Sequence, residues 1–329
     1  MNWTEIIGHV DNINMLRHME SHTHMPHAVL LSGPRGIGKF MVASVLGAAL
    51  LCKSGEIRPC GSCQSCLQMS YGTHPDFSLI EPDGANIKIE QIRKLQHEVA
   101  LAPYVSLRRV CIINEAELMT VQAANSLLKI LEEPVGDIVF ILVSANRLML
   151  LPTIISRCMS MGFQPLTDKV LAKALIDKGF LPDQSEMAAR LSLGRMGTAL
   201  SLLEPDGLAL RNQAVQIIQK LLDGNMTIVW DTASTVEKME RKDILQLFQY
   251  FTYILRDTLM VITGQDRQLL LNTDLAEWLM GHFGRWSENS LLEGIRAVET
   301  ARRALHANAN ARLTSEALLI KIYDLVREV

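Results

Sequence analysis

The sequence predicts an α/β domain built on a parallel sheet, then a small helical domain, then a C-terminal all-α domain. Three observations carry this. The stretch HAVLLSGPRGIGKF runs from a short apolar strand into a glycine-rich phosphate loop and then a helix. Apolar strands and helical segments alternate from there to Pro165, the order of a parallel sheet with right-handed crossovers. Beyond Pro165 the strand signal stops and only amphipathic helical periodicity remains. The predicted boundaries are 1–165, 166–207 and 208–329, with a cysteine insertion at about 52–66 in the first.

Residues 1 to about 24 read as a short helical opening, with Ile6, Ile7, Val10 and Leu16 apolar. Ala28 to Leu31 is the first strand, and MVASVLGAALLC after the loop is a helix apolar on most faces, hence buried. Phe77 to Ile80 reads as a second strand. The helical spacing of Ile89, Ile92, Leu95 and Val99 follows, then the strand Val110 to Ile113. Thr120 is placed to N-cap a helix through Ala124, Leu127, Leu128 and Leu131, and Pro134 stops it. Asp137 to Val143 is a fourth strand, continuously apolar as in a sheet covered on both faces. Residues 166 to about 203 read as short helices. Four longer amphipathic segments follow: LALRNQAVQIIQKLL, DILQLFQYFTYILRDTLMVI, SLLEGIRAVETARRAL and SEALLIKIYDLV.

The phosphate loop has its cradle and lacks its metal ligands. Gly33, Gly36 and Gly38 allow backbone N–H groups to approach a phosphate, and Lys39 adds a point charge. Nucleotide hydrolysis also needs Mg²⁺, held by a hydroxyl after that lysine and an acid closing a later strand. Here the positions hold Phe40 and Asn114. A phenyl ring has no oxygen, and a neutral amide is a weak ligand for a hard cation. Glu115 remains and has the chemistry to polarise a water. These residues predict a site able to hold ATP or ADP and defective in hydrolysis.

Four of the six cysteines, Cys52, Cys60, Cys63 and Cys66, form a C-x7-C-x2-C-x2-C pattern. Each C-x2-C step lets a tight turn offer two thiolates to one ion, and four thiolates leave no open position. The pattern predicts structural zinc. An iron–sulfur cluster and reduced free thiols are the alternatives at this point; a ferredoxin-type run lacks its further cysteine near Ser70. Cys111 lies in an apolar strand and is expected in the core.

The net charge of −3 argues against a broad basic face that binds nucleic acid unaided. Only Lys53 and Arg58 are basic near the cysteines, and aromatics for base stacking are sparse there. No apolar run suits a bilayer span, and MNWTEIIGHVDNIN lacks a signal-peptide pattern. A cytoplasmic protein with reduced thiols and no membrane partner is expected.

The motif order resembles the bacterial DNA polymerase clamp-loader family of AAA+ proteins, and within it the non-motor delta-prime branch. The resemblance rests on Ile7-Gly8-His9, GPRGIGK, the cysteine module followed by Gly72-Thr73-His74-Pro75-Asp76, Asn125 to Pro134 (NSLLKILEEP), Ile155-Ser156-Arg157-Cys158 and Asn308 to Ile322. It covers nearly the whole chain. It implies that 166–207 is a lid, that 208–329 joins an oligomeric collar, and that Arg157 serves in trans as an arginine finger for a neighbour's ATP. The partners implied are gamma/tau motor subunits, a delta subunit and, through the complex, the sliding clamp and primed DNA. The departures separate two readings. Phe40, Asn114 and Gly197, the last where a motor carries a sensor arginine, favour a stator. Retained Lys39 and Glu115 keep an ATP-hydrolysing motor as the alternative. From its residues alone, Arg157 is equally a surface arginine ending an apolar run or the partner of an internal carboxylate.

Overall fold

Alternate side chains along four apolar strands face opposite sides, and both sides are covered. The computed structural model describes residues 1–21, 25–55, 57–134 and 136–327. The end of the predicted opening segment and one position of the predicted insertion therefore lie outside the described residues. The chain divides into two compact units: Met1–Lys178 with Leu193–Thr198, and Gly179–Ser192 with Ala199–Val329.

The first unit holds α1 (Val10–Ser21), β1 (Ala28–Ser32), α2 (Lys39–Leu51), α3 (Gln64–Ser70), β2 (Phe77–Ile80) and α4 (Ile89–Val99). It continues with β3 (Arg109–Ile113), α5 (Val121–Glu132), β4 (Ile138–Ser144), α6 (Pro152–Ile155), β5 (Met159–Gly162) and α7 (Asp168–Asp177). The five strands form one sheet in the order β2-β3-β4-β1-β5, with every pairing parallel. Val29, Leu31, Ile112 and Ile141 pack with the buried face of α2 on one side. Leu30, Cys111, Phe140 and Leu142 pack with α4 and α5 on the other. Burial on both faces explains the continuous apolar strands. As predicted, Thr120 caps α5, its hydroxyl accepting from Ala123 N at 3.2 Å.

The sheet has one strand more than the sequence predicts. β5 is Met159-Ser160-Met161-Gly162 at the edge of the sheet, beside β1. An edge strand of this composition lacks the β-branched residues that mark a strand in sequence. The short helix α3 lies inside the cysteine module, where the sequence suggests only turns.

The Gly72-to-Asp76 motif is a structural device. Asp76 is buried and its carboxylate accepts from Tyr104 N, Val105 N and Ser106 N at 2.6, 2.9 and 2.8 Å. Burial pushes its pKa up, yet these N–H donors hold it below the ordinary carboxylate value.

Helix α9 (Met196–Leu203) runs across the division, and the second unit is helical: α8 (Pro182–Leu191), α10 (Ala209–Leu222), α11 (Thr227–Val236), α12 (Arg241–Ile262), α13 (Ala276–His282), α14 (Glu288–His306) and α15 (Ala311–Arg327). α12 packs on α10 and α14, and α15 on α11 and α14. The four predicted long segments correspond to α10, α12, α14 and α15. α11 escapes prediction because TIVWDTASTV is rich in β-branched residues, and α13 because it is a short seven-residue helix. Among the described residues no helix is long and apolar enough to cross a membrane.

Candidate functional site: a closed phosphate cradle, a thiolate cluster and an arginine

The cradle is built where β1 ends. Gly33, Gly36 and Gly38 have φ of 152°, 76° and 103°, backbone that side-chain-bearing residues rarely adopt. A Cβ on Gly33 would collide with the Phe163 carbonyl oxygen just past β5. Gly36 carries a different neighbour: Gly197 N donates to its carbonyl oxygen at 2.7 Å. A Cβ on Gly36 would lie 3.0 Å from Thr198 Oγ1. Thus the segment predicted to lack a sensor arginine lies directly on the loop, with Gly197 at the contact. His9 supports the loop from below, its Nε2 3.3 Å from Ile37 O.

Lys39 is folded back into the cradle. Its ammonium donates to Gly33 O at 2.6 Å and Pro34 O at 2.7 Å, and the residue is only 5 % exposed. Burial pulls its pKa down to about 8, against the opposing pull of the Glu117 carboxylate. Glu115, at φ 51° just after β3, is engaged by the loop's own arginine: Arg35 Nη2 lies 2.9 Å from Glu115 Oε2. The same nitrogen is 4.0 Å from Glu117 Oε1, which also accepts from Ala145 N at 3.1 Å. The second oxygen of Glu117 is buried without a partner among the described residues. Asn114 donates to Glu81 Oε1 at 3.1 Å, and Phe40 is partly exposed on the first turn of α2. The predicted residues Gly33, Gly36, Gly38, Lys39 and Glu115 therefore converge. Arg35 and Glu117, which join them, are not singled out by sequence, although Arg35 lies inside the glycine loop itself.

The four predicted cysteines also converge. Their sulfurs all lie within 4.8 Å of one another, with Cys52–Cys63 and Cys60–Cys66 at 3.9 Å. Thiolates ~2.3 Å from a tetrahedral zinc are ~3.8 Å apart, so this cluster could hold a metal of that kind. Backbone N–H groups of Ser54 and Cys60 reach Cys52 Sγ at 3.4 Å, and Cys63 N reaches Cys60 Sγ at 3.4 Å. N–H donation stabilises thiolates. Donors from Ser62 and Cys63 pull the Cys60 thiol down to about 6, whereas burial pushes Cys66 up to about 12. The module is tied to the chain's start: Trp3 Nε1 donates to Arg58 O at 2.9 Å, and Arg58 pairs with Glu20 at 3.3 Å. Cys111 is buried in β3 and lies outside the cluster.

Arg157 stands apart from the cradle. It precedes β5, whose register sets Met159 beside Val29, near the amino end of β1. The cradle begins at Gly33, past the carboxyl end of β1. The four steps from Val29 to Gly33 alone span ~13 Å. Arg157 is partly exposed. Its Nη2 lies 2.6 Å from Glu132 Oε1, and its Nη1 donates to Thr153 O at 3.0 Å. Cys158 beside it is buried, which pushes its thiol up to about 11. Both sequence readings of Arg157 keep a physical basis: it pairs with a carboxylate, and part of it faces outward.

The chain is similar to known proteins. A family described as "DNA polymerase III, delta subunit" matches residues 8–167. The delta' subunit of DNA polymerase III from Bacillus subtilis is 31 % identical over 304 residues, covering 91 % of this chain and 92 % of its own. Its counterpart in Pseudomonas aeruginosa is 36 % identical over 196 residues, 59 % of this chain and 60 % of its own. The B. subtilis tau subunit is 28 % identical over 285 residues, 79 % of this chain and 50 % of its own. In fold, the chain is similar to a gamma subunit-related DNA polymerase III protein of Thermotoga maritima. The TM-score is 0.53 at 20 % identity, covering 96 % of this chain and 99 % of that one. Identity of 31 % over nearly the full length of both the B. subtilis delta' subunit and this chain, with the motif order and the parallel sheet, shows that the chain belongs to the DNA polymerase III delta-prime family of clamp-loader subunits.

Proposed function

We propose that this clamp-loader subunit is a stator that does not turn over ATP itself and offers Arg157 to ATP held by a neighbouring motor subunit. The observation that carries this is the sheet register, with the cradle at one end of β1 and Arg157 at the other end of its neighbour β5. An arginine so placed cannot serve its own cradle and is available to another. Fingers of this kind contribute ~10³ to 10⁵ in rate by stabilising charge on the transferred phosphoryl group. Its planar fork suits that task better than a lysine.

Arg35 on Glu115, Lys39 on the loop carbonyls, and the missing ligands at Phe40 and Asn114 all argue against hydrolysis in this chain. The cradle keeps enough backbone to hold ATP or ADP weakly. The cysteine cluster holds zinc, which folds the module and takes no part in chemistry. Residues 166–207 form the lid and 208–329 the collar that joins the ring. The partners are gamma/tau motor subunits and a delta subunit, with the sliding clamp and primed DNA reached through the complex. A motor reading draws on the retained Lys39 and Glu115, and the Arg35–Glu115 pair weighs against it.

The test is clamp- and DNA-stimulated ATP hydrolysis in the reconstituted complex. Arg157→Ala in this chain is expected to lower turnover at the adjoining motor site by ~10³ or more with assembly intact. Lys39→Ala is expected to change it little. The reverse pattern would establish this chain as the motor.

A further inference from the structure

We propose that Glu132 is the positioning residue for Arg157, holding the guanidinium in the orientation in which it meets a neighbour's phosphate. The inference rests on the finger reading above and goes beyond it to a residue on a different element. Glu132 is the last residue of α5, and a carboxylate there faces the negative end of the helix dipole. That placement is unfavourable by itself, and Arg157 is what offsets it: Oε1 lies 2.6 Å from Nη2. The bond from Nη1 to Thr153 O at 3.0 Å pins the other terminal nitrogen.

Two anchors on two nitrogens fix the plane of a guanidinium, where one would leave it free to swing. They occupy two of its five N–H donors and leave three for an incoming anion. Glu132 and Arg157 are each partly exposed, with side chains 48 % and 34 % accessible, so the pair lies where a neighbour can reach it. At such exposure an ion pair contributes little to folding. Its value would therefore lie in orientation, where a misplaced group about 1 Å off costs ~10²-fold in rate.

The experiment uses the reconstituted complex with hydrolysis confined to the motor site beside this chain, the other motor sites being silenced by substitution. Glu132→Gln keeps the shape and removes the charge. It is expected to lower kcat about tenfold while KM for ATP and ring assembly stay unchanged. Glu132→Asp, which keeps the charge, is expected to recover part of the loss. In the Arg157→Ala background, Glu132→Gln is expected to cost nothing more, because a positioning residue acts only through its partner. Full activity in Glu132→Gln, or an equal further loss on top of Arg157→Ala, would overturn the proposal while the finger reading stood. Full activity in Arg157→Ala would remove both.

Discussion

The cradle and the cysteine module lie in the same unit and differ in what each has kept. The cradle keeps its backbone shape, with Gly33, Gly36 and Gly38 all at positive φ. It lacks the metal ligands, and Arg35, Lys39 and Gly197 engage its Glu115 carboxylate and loop carbonyls from within, leaving one Glu117 oxygen without a partner among the described residues. Among its described residues the module has little regular structure beyond α3, yet all four sulfurs lie within 4.8 Å of one another. Shape without donors gives a site that closes on itself; donors without much scaffold still give a site, because the ion can supply the organisation. Ligand inventory therefore decides function here more than backbone form does.

The largest effect should come from breaking the module. Cys66→Ser removes one of the four donors, and structural zinc in small modules contributes ~10–16 kcal/mol of apparent binding free energy. The zinc content by elemental analysis is expected to fall from one ion per chain to near zero. The thermal midpoint should drop by ~10 °C or more, since each kcal/mol is worth ~2–4 °C in a domain of this size. Full zinc content in the variant would show that the four sulfurs do not share one ion.

The glycines of the cradle differ in what surrounds them. Gly33→Ala forces a Cβ into Phe163 O, whereas a Cβ on Gly38 meets open space. We expect Gly33→Ala to cost ~3 kcal/mol in urea unfolding and Gly38→Ala, which carries backbone strain alone, ~1 kcal/mol. Equal costs would mean that the cradle yields easily and is not a rigid remnant.

A pH dependence tests whether the buried lysine is a burden. The folded-state pKa of Lys39, about 8, lies below its ordinary 10.5. Between those values the unfolded chain binds more protons, so stability rises as pH climbs from about 8 toward 10.5. Below about 8 the folded chain carries the full cost of burying the charge, of order 3 kcal/mol. Lys39→Met should remove this slope, so wild type gains on the variant with rising pH. Parallel stability profiles from pH 7 to 10 would place the ammonium in water.

How much of this can be read before folding depends on the reach of each signal. Strands covered on both faces print continuous apolar runs, so β1, β3 and β4 are legible. The thiolates are legible because three of them fall within seven residues. β5 is not, since its Met-Ser-Met-Gly run takes its identity from pairing with β1. The Arg35–Glu115 contact joins residues 80 apart, and nothing local marks either as the other's partner. Glu132 stands inside a legible helix motif, but its contact with Arg157 exists only once α5 and the turn after α6 are brought together.

Parallel strands give the sheet a direction, and this chain is furnished unequally along it. An assembly in which one subunit's leading end meets the next one's trailing end is heterologous, so each junction is one-way. On the function proposed above, such a subunit completes the junction on its arginine side and leaves the junction on its cradle side silent. Two copies set in succession would therefore gain nothing from each other. On that proposal the chain suits the terminus of a catalytic series, a place that tolerates one occupant and sets where the series stops.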